Sequence, residues 1–211
     1  MKLYQCNKTV LRFYPDGAHF VNGYSTNVPE AQRNAFVDIH GKIIAIADQR
    51  KISNNEVWIV VESPFVDRLL THLKKYLSIS ETEVQKLDQQ KVYWDLETHR
   101  IYITDKPVTA TVTEKEFTLY RVQKALPLQG VDYDQELVLN LADEALVSYS
   151  KGCYLGQEIV ARVHYRGQPP KKLTVKSEKE CSVEELARMT SKVFDPARGQ
   201  TAGFVFVNNL L

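Results

Sequence analysis

Three strand-like runs in quick succession constrain this chain more than any other feature. "RNAFVDI" (33–39), "KIIAIADQRKI" (42–52) and "EVWIVVE" (56–62) are rich in β-branched and aromatic residues. His40-Gly41 joins the first two, with the glycine free to take positive φ, and Asn54-Asn55 joins the second to the third. Links this short permit only antiparallel neighbours, because a parallel pair needs a crossover of a dozen or more residues. An antiparallel meander is therefore expected. "KTVLRFY" (8–14), closed by the turn signal Pro15-Asp16-Gly17, is a further short strand.

A helix follows the meander directly. Ser63 can cap it, Pro64 suits its first position, and Val66, Leu69, Leu70, Leu73 and Leu77 recur at spacings of three and four. Lys74 and Lys75 lie near its C-terminal end, where cations suit the helix dipole. The single apolar stripe must be buried, and a helix packed on the sheet is the reading. Strand-forming runs continue at 83–87, 91–97 and 100–105. "EFTLYRVQKAL" (116–126) passes from a strand pattern into a short helix that Pro127 ends. Residues 134–149 have no clear pattern, and "LGQEIVARVHYR" (155–166) reads as a helix with Ile159, Val160 and Val163 inside. Gly167-Gln168-Pro169-Pro170 cannot continue that helix and sets a boundary. Residues 1–166 are then one domain. Residues 167–211 are a short β segment (172–176, 191–195 and 201–208, with one helical turn over 182–189), too small to stand alone and so packed on the first part.

Charge and composition exclude several functions. The 211 residues are 44% hydrophobic and 25% charged, a globular mix, and a formal net charge of +1 gives no footprint for nucleic acid or an acidic membrane. No apolar run approaches the ~20 residues of a spanning helix. The N-terminal "MKLYQCNKTVLRFYPDG" lacks the apolar segment of a secretory signal, so a cytoplasmic location is expected. Cys6, Cys153 and Cys181 are odd in number and widely spaced, with no CxxC or HxxxH pair. No metal is expected in the isolated chain, and the cysteines should be free thiols in a reducing compartment.

"SKGCYLGQEIV" (150–160) is the stretch with the most chemistry. Gly152 and Gly156 bracket Cys153, and a helix beginning near Leu155 would put the thiol just before its N-terminus. The helix dipole and Lys151 there favour a thiolate, while Glu158 opposes it. A small buried filler is the alternative, since free cysteine is among the most buried residue types. His164 is eleven residues away, towards the other end of the same helix, out of reach of a Cys-His pair. Arg162, Arg166, Lys171 and Lys172 around Tyr165 are either a solvated face or a cradle for an anionic ligand.

"KGCYLGQE" (151–158) resembles the signature of the YgfZ family, folate-binding proteins related to the T-protein (aminomethyltransferase) of the glycine cleavage system. "DGAHFVNGYSTNV" (16–28), "AFVDIHGKIIAIA" (35–47) and "LYRVQKALPLQG" (119–130) are similar to further family segments, the last with Ala125 where a glycine is usual. The resemblance spans roughly residues 8–211. It implies an α+β class, a T-protein-like folate-binding fold of antiparallel sheets with packed helices around a central opening, plus a C-terminal barrel here reduced to a remnant. It implies tetrahydrofolate or a derivative as ligand. It also implies a role as an accessory protein in the maturation or repair of iron-sulfur proteins, affecting tRNA modification indirectly. The partners are then iron-sulfur assembly proteins or their client enzymes, with no direct contact to nucleic acid or membrane and no classical turnover. Carried over, Cys153 and Lys151 are the chemical residues and Glu158, Gln157 and Arg121 folate contacts; Tyr154 and, from the basic stretch, Arg162 are added to those contacts from the residues themselves. Glu158 would meet the pterin ring, and Arg162 or Lys171 the anionic tail. T-proteins carry an Asp-Asp pair where this chain has Ala45 and Ile46, with Asp48 two residues out of register. That departure counts against the alternative of a folate-dependent aminomethyltransferase. A ligand-free interaction module is the third possibility, kept open by the short tail.

Overall fold

A computed structural model of the chain describes residues 1–209. Strands β1 (Leu3–Gln5) and β2 (Lys8–Tyr14) lead into helix α1 (Gly17–Tyr24). The meander follows as β3 (Arg33–Val37), β4 (Ile43–Lys51) and β5 (Val57–Glu62), then α2 (Val66–Leu77). Next come β6 (Glu83–Lys86), β7 (Lys91–Asp95), β8 (Arg100–Thr104) and α3 (Glu114–Gln123). The chain continues through short 3-10 turns at Val138–Leu141 and Glu144–Leu146 to α4 (Gln157–Arg166). It ends in β9 (Lys171–Ser177), α5 (Val183–Arg188), β10 (Thr190–Asp195) and β11 (Gln200–Asn208).

The meander is the heart of a five-stranded antiparallel sheet in the order β3-β4-β5-β2-β6. Its two faces are sorted by the period of two along each strand. Leu11 and Phe13 on β2, and Val57, Ile59 and Val61 on β5, pack with Phe20 and Val21 of α1 and Leu69 and Leu73 of α2. The intervening residues face the other way. Val10 and Val60 meet Val92 of β7, which belongs to a second sheet, β1-β7-β8. Ala35, Val37 and Ile46 pack beneath Val122 of α3, Val160 of α4 and Phe204 of β11. Strands β10-β11-β9 form a third antiparallel sheet, open rather than closed into a barrel.

Helix α3 corrects the mixed reading of 116–126. The segment is helical from Glu114 because Thr113 accepts from the Glu116 amide while the Glu116 carboxylate accepts from the Thr113 amide. This reciprocal cap satisfies two otherwise orphaned donors and commits the following turn to helix. Helix α1 lies where only a turn was expected, held by its buried residues Ala18, Phe20 and Val21.

Candidate functional site

A cavity of about 110 Å³, open to solvent at its mouth, lies on the second face of the large sheet, under the β1-β7-β8 sheet and α3. Strand register builds its floor. Lys8 is opposite Glu62, and Asp48 is opposite Val60, which shares a face with Glu62 two residues on. The three side chains converge, with Lys8 Nζ 2.8 Å from Asp48 Oδ2 and 2.9 Å from Glu62 Oε1. Burial alone would lower the Lys8 pKa, but the two carboxylates outweigh it and hold the ammonium charged. One cation against two carboxylates leaves the floor with a net negative charge.

The walls are mostly aromatic and apolar. Tyr4 and Phe117 stack with centroids 3.9 Å apart, and Trp94, Tyr133 and Leu126–Leu128 complete the enclosure. Burial, and then the Glu114 carboxylate that accepts a hydrogen bond from its hydroxyl, raises the Tyr4 pKa above the ordinary phenol value. Arg121 stands on the α3 side with its side chain 4% exposed. Its Nη1 donates to Asp132 Oδ2 at 2.7 Å and its Nη2 to Ser191 Oγ at 2.8 Å. Two buried donors of this wall, Arg121 Nε and Trp94 Nε1, have no acceptor among the described residues. Unmet buried donors are costly, and a ligand acceptor is one way to satisfy them. Cys6, between β1 and β2, also lines the cavity, and burial pushes its thiol up to about 12, so it is held as the neutral thiol.

The sequence candidates divide between two places. Arg121 lines the cavity, whereas Lys151, Cys153, Tyr154, Gln157, Glu158 and Arg162 do not. The helix expected to begin near Leu155 begins two residues later. Helix α4 starts at Gln157, after Gly156 in the left-handed region, so Cys153 is exposed and three residues short of the N-cap. Lys151 does not serve as a free charge beside it. Its Nζ donates to the carbonyl oxygens of Asn22, Ser25 and Asn27 at 2.7, 2.7 and 3.0 Å. Burial pushes Lys151 down to about 8, and the three carbonyls oppose that, since a neutral amine has one donor fewer. Ser25, Thr26 and Asn27 are themselves buried and tied to Asn34, whose amide donates to Ser25 Oγ at 2.8 Å. Lys151 therefore bolts the motif to the loop after α1. Gly156 brings the backbone close to β3, where a Cβ would overlap the Asp38 carbonyl oxygen. Tyr154 is buried under the Lys151 ammonium, which lies 5.0 Å from its ring centroid, while Glu158 and Arg162 are exposed and Gln157 is partly exposed.

Sequence reasoning missed Lys8, Glu62, Trp94 and Cys6 as site residues and noted Asp48 only as out of register. The signal available was three charged residues at positions that the alternation of β2, β4 and β5 turns inward. Asp48 lines the cavity alongside Ile46, the register position it was set against. Among the described residues no three His, Cys, Asp or Glu side chains are grouped to hold a metal ion, and no helix is long and apolar enough to cross a membrane.

Comparison with solved structures gives the architecture a reference. The aminomethyltransferase T of the glycine cleavage system from Bartonella henselae superposes with a TM-score of 0.72, over 98% of this chain and 78% of that one, at 10% identity. The chain has the T-protein-like fold. By sequence it is 30% identical over 154 residues to an uncharacterized protein of Haemophilus influenzae, covering 63% of this chain and 55% of that protein. It is 35% identical over 69 residues to the tRNA-modifying protein YgfZ of Colwellia psychrerythraea, covering 31% of this chain and 21% of that one. The chain thus spans about half the length of the first relative and about a fifth of the second. No family model matches it.

Proposed function

We propose that the chain binds a reduced folate in the central cavity and acts as an accessory protein in the maturation or repair of iron-sulfur proteins, with an indirect effect on tRNA modification. The observation that carries the reading is the cavity itself. Its aromatic and apolar walls suit a flat ring, the Asp48–Glu62 floor offers acceptors to such a ring's donor edge, and the unmet Arg121 and Trp94 donors suit its acceptors. In this reading Arg121 is a folate contact. Cys153, exposed on a segment bolted by Lys151, is a separate thiol station facing a protein client, and Gln157, Glu158 and Arg162 flank that station rather than the ring.

Titration with tetrahydrofolate or folinic acid, followed by calorimetry, tests the ligand. Saturable one-to-one binding is expected. Glu62→Gln leaves Lys8 paired with Asp48 and removes one charge-assisted acceptor, so binding should weaken roughly 10- to 100-fold. Cys153→Ser should bind normally yet fail to restore iron-sulfur enzyme activity in cells lacking the protein, while Cys6→Ser and Cys181→Ser restore it. No saturable binding at millimolar folate refutes the ligand; full rescue by Cys153→Ser refutes the thiol.

A second reading, folate-dependent aminomethyl transfer, draws on Asp48 at the cavity floor. Against it, the Asp48 carboxylate is already engaged by Lys8. Turnover in an aminomethyl-transfer assay that Asp48→Asn abolishes would establish it.

A further inference from the structure

Five charged side chains line the central cavity, Lys8, Arg33 and Arg121 against Asp48 and Glu62, but their pairing reverses the balance. Arg33 is neutralised by Asp143 and Arg121 by Asp132, two carboxylates that do not line the cavity. Lys8 is left between Asp48 and Glu62, at 2.8 and 2.9 Å, and among the described residues neither carboxylate has a second cation within 4 Å. Three cations against four carboxylates leave one negative charge, and it sits on the floor. The floor carboxylates are only 10% and 12% exposed, so water and salt screen that charge little. Glu62 Oε1 is buried and accepts no hydrogen bond among the described residues; Lys8 meets it as a charge alone. The walls present ring faces, Tyr4 stacked on Phe117 together with Trp94 and Tyr133. Such faces carry negative potential and draw cations. The Arg121 guanidinium, 5.8 Å from the Phe117 centroid, is the charge that Asp132 neutralises.

A shielded site with one unbalanced carboxylate and aromatic walls prefers a flat organic cation to a neutral ring of the same shape. Reduced folates offer that choice at their one-carbon unit. Carried as a 5,10-methylene bridge, the unit leaves the ring system neutral. Carried as a 5,10-methenyl bridge, one hydride fewer, it makes an amidinium cation whose charge is shared by two nitrogens. We propose that the cavity selects the one-carbon unit by charge, holding the 5,10-methenyl cation in preference to neutral folates, with Asp48 and Glu62 as the residues that set the preference. The inference rests on the folate reading and narrows it to one oxidation level of the carried carbon, that of formate. Lys8 is then a positioning residue: it draws the two carboxylates together and cancels one of them, leaving a single charge for the ligand.

The experiment compares freshly prepared 5,10-methenyl- and 5,10-methylene-tetrahydrofolate in mildly acidic buffer, with the same excess of formaldehyde in both arms to keep the methylene form intact. Stopped-flow quenching of tryptophan emission reads each affinity before the methenyl form hydrolyses, with Trp94→Phe as the blank. The methenyl form should bind roughly 10- to 30-fold more tightly, from one charge acting across a partly wetted site. The ratio of affinities is the readout, because loss of a hydrogen-bond acceptor weakens both ligands alike. Glu62→Gln and Asp48→Asn each keep the shape of the side chain and leave Lys8 one carboxylate, so folding is spared. Each should bring the ratio to within about threefold of unity. Raising salt from 50 to 500 mM should change it by less than about twofold, since the charge is shielded. A ratio near one in the unaltered protein, one that survives either variant, or one that vanishes at high salt overturns charge selection and leaves the folate reading standing. Failure of both forms to bind overturns the folate reading. N-methylquinolinium against neutral quinoline then decides the cavity alone: a preference for the cation that Glu62→Gln abolishes keeps it as an organic-cation site, and equal or absent binding removes both.

Discussion

Asp132 is the residue whose removal the fold should tolerate least. Its side chain is fully buried and accepts four hydrogen bonds: from Arg121 Nη1 at 2.7 Å, the Leu128 amide at 2.8 Å, Thr190 Oγ1 at 2.7 Å and Ser191 Oγ at 2.6 Å. It thereby joins α3, the loop after it and β10. Asp132→Ala leaves the Arg121 guanidinium buried without a counter-charge, at a cost of about 3–5 kcal/mol. The orphaned Leu128 amide adds about 1–3 kcal/mol, whereas the two hydroxyls can turn to other acceptors at little cost. A total of about 4–8 kcal/mol is a large share of the roughly 5–15 kcal/mol that hold a domain folded. In urea, with a slope of about 2 kcal/mol per molar, the unfolding midpoint should fall by about 2–4 M. The double variant Arg121→Met/Asp132→Leu removes both charges and should be more stable than Asp132→Ala alone, because the penalty comes from the unpaired partner rather than from the lost bond. A midpoint shift under 0.5 M (about 1 kcal/mol on that slope), or a double variant weaker than Asp132→Ala, would refute the reasoning.

Three further outcomes are expected. Lys151 is pushed down to about 8 by burial, below its value of about 10.4 in the unfolded chain, so the unfolded state binds more protons between those values and stability should rise with pH across that window. Lys151→Met should lack this rise, and parallel melting curves for the two proteins at pH 7.5 and 9.5 would count against the assignment. Gly156→Ala meets both a left-handed φ of 83° and the Asp38 carbonyl, and should cost at least about 2 kcal/mol in chemical denaturation, more than the same change at Gly152, where a Cβ meets nothing within 4 Å. Thiol titration with an aromatic disulfide should find Cys153 fast and Cys6 slow, since Cys153 is exposed and Cys6 is held neutral by burial; folinic acid should slow Cys6 further, and fast labelling that survives Cys153→Ser/Cys181→Ser would contradict this account of the site.

The meander and α2 were legible before any coordinates because their signals are local. The two-residue alternation of 33–62 and the three-and-four spacing of Val66, Leu69 and Leu73 are properties of one backbone segment at a time. Helix α3 was half-legible. Its Thr113 and Glu116 cap was written in the sequence, but "EFTLY" satisfies a strand pattern equally well, and only packing of Phe117 and Val122 decides between them. The motif around Cys153 drew attention correctly as a segment, yet the role of Lys151 depends on carbonyls more than 120 residues upstream. The cavity was hidden for the same reason. Lys8, Asp48 and Glu62 become neighbours only through ladder register, and a one-residue slip of β4 would turn Asp48 to the α2 face and dismantle the floor. Periodicity states which way each side chain leans; which leaning side chains meet is decided by how strands from distant parts of the chain align, and that alignment is set by the burial of both sheet faces together.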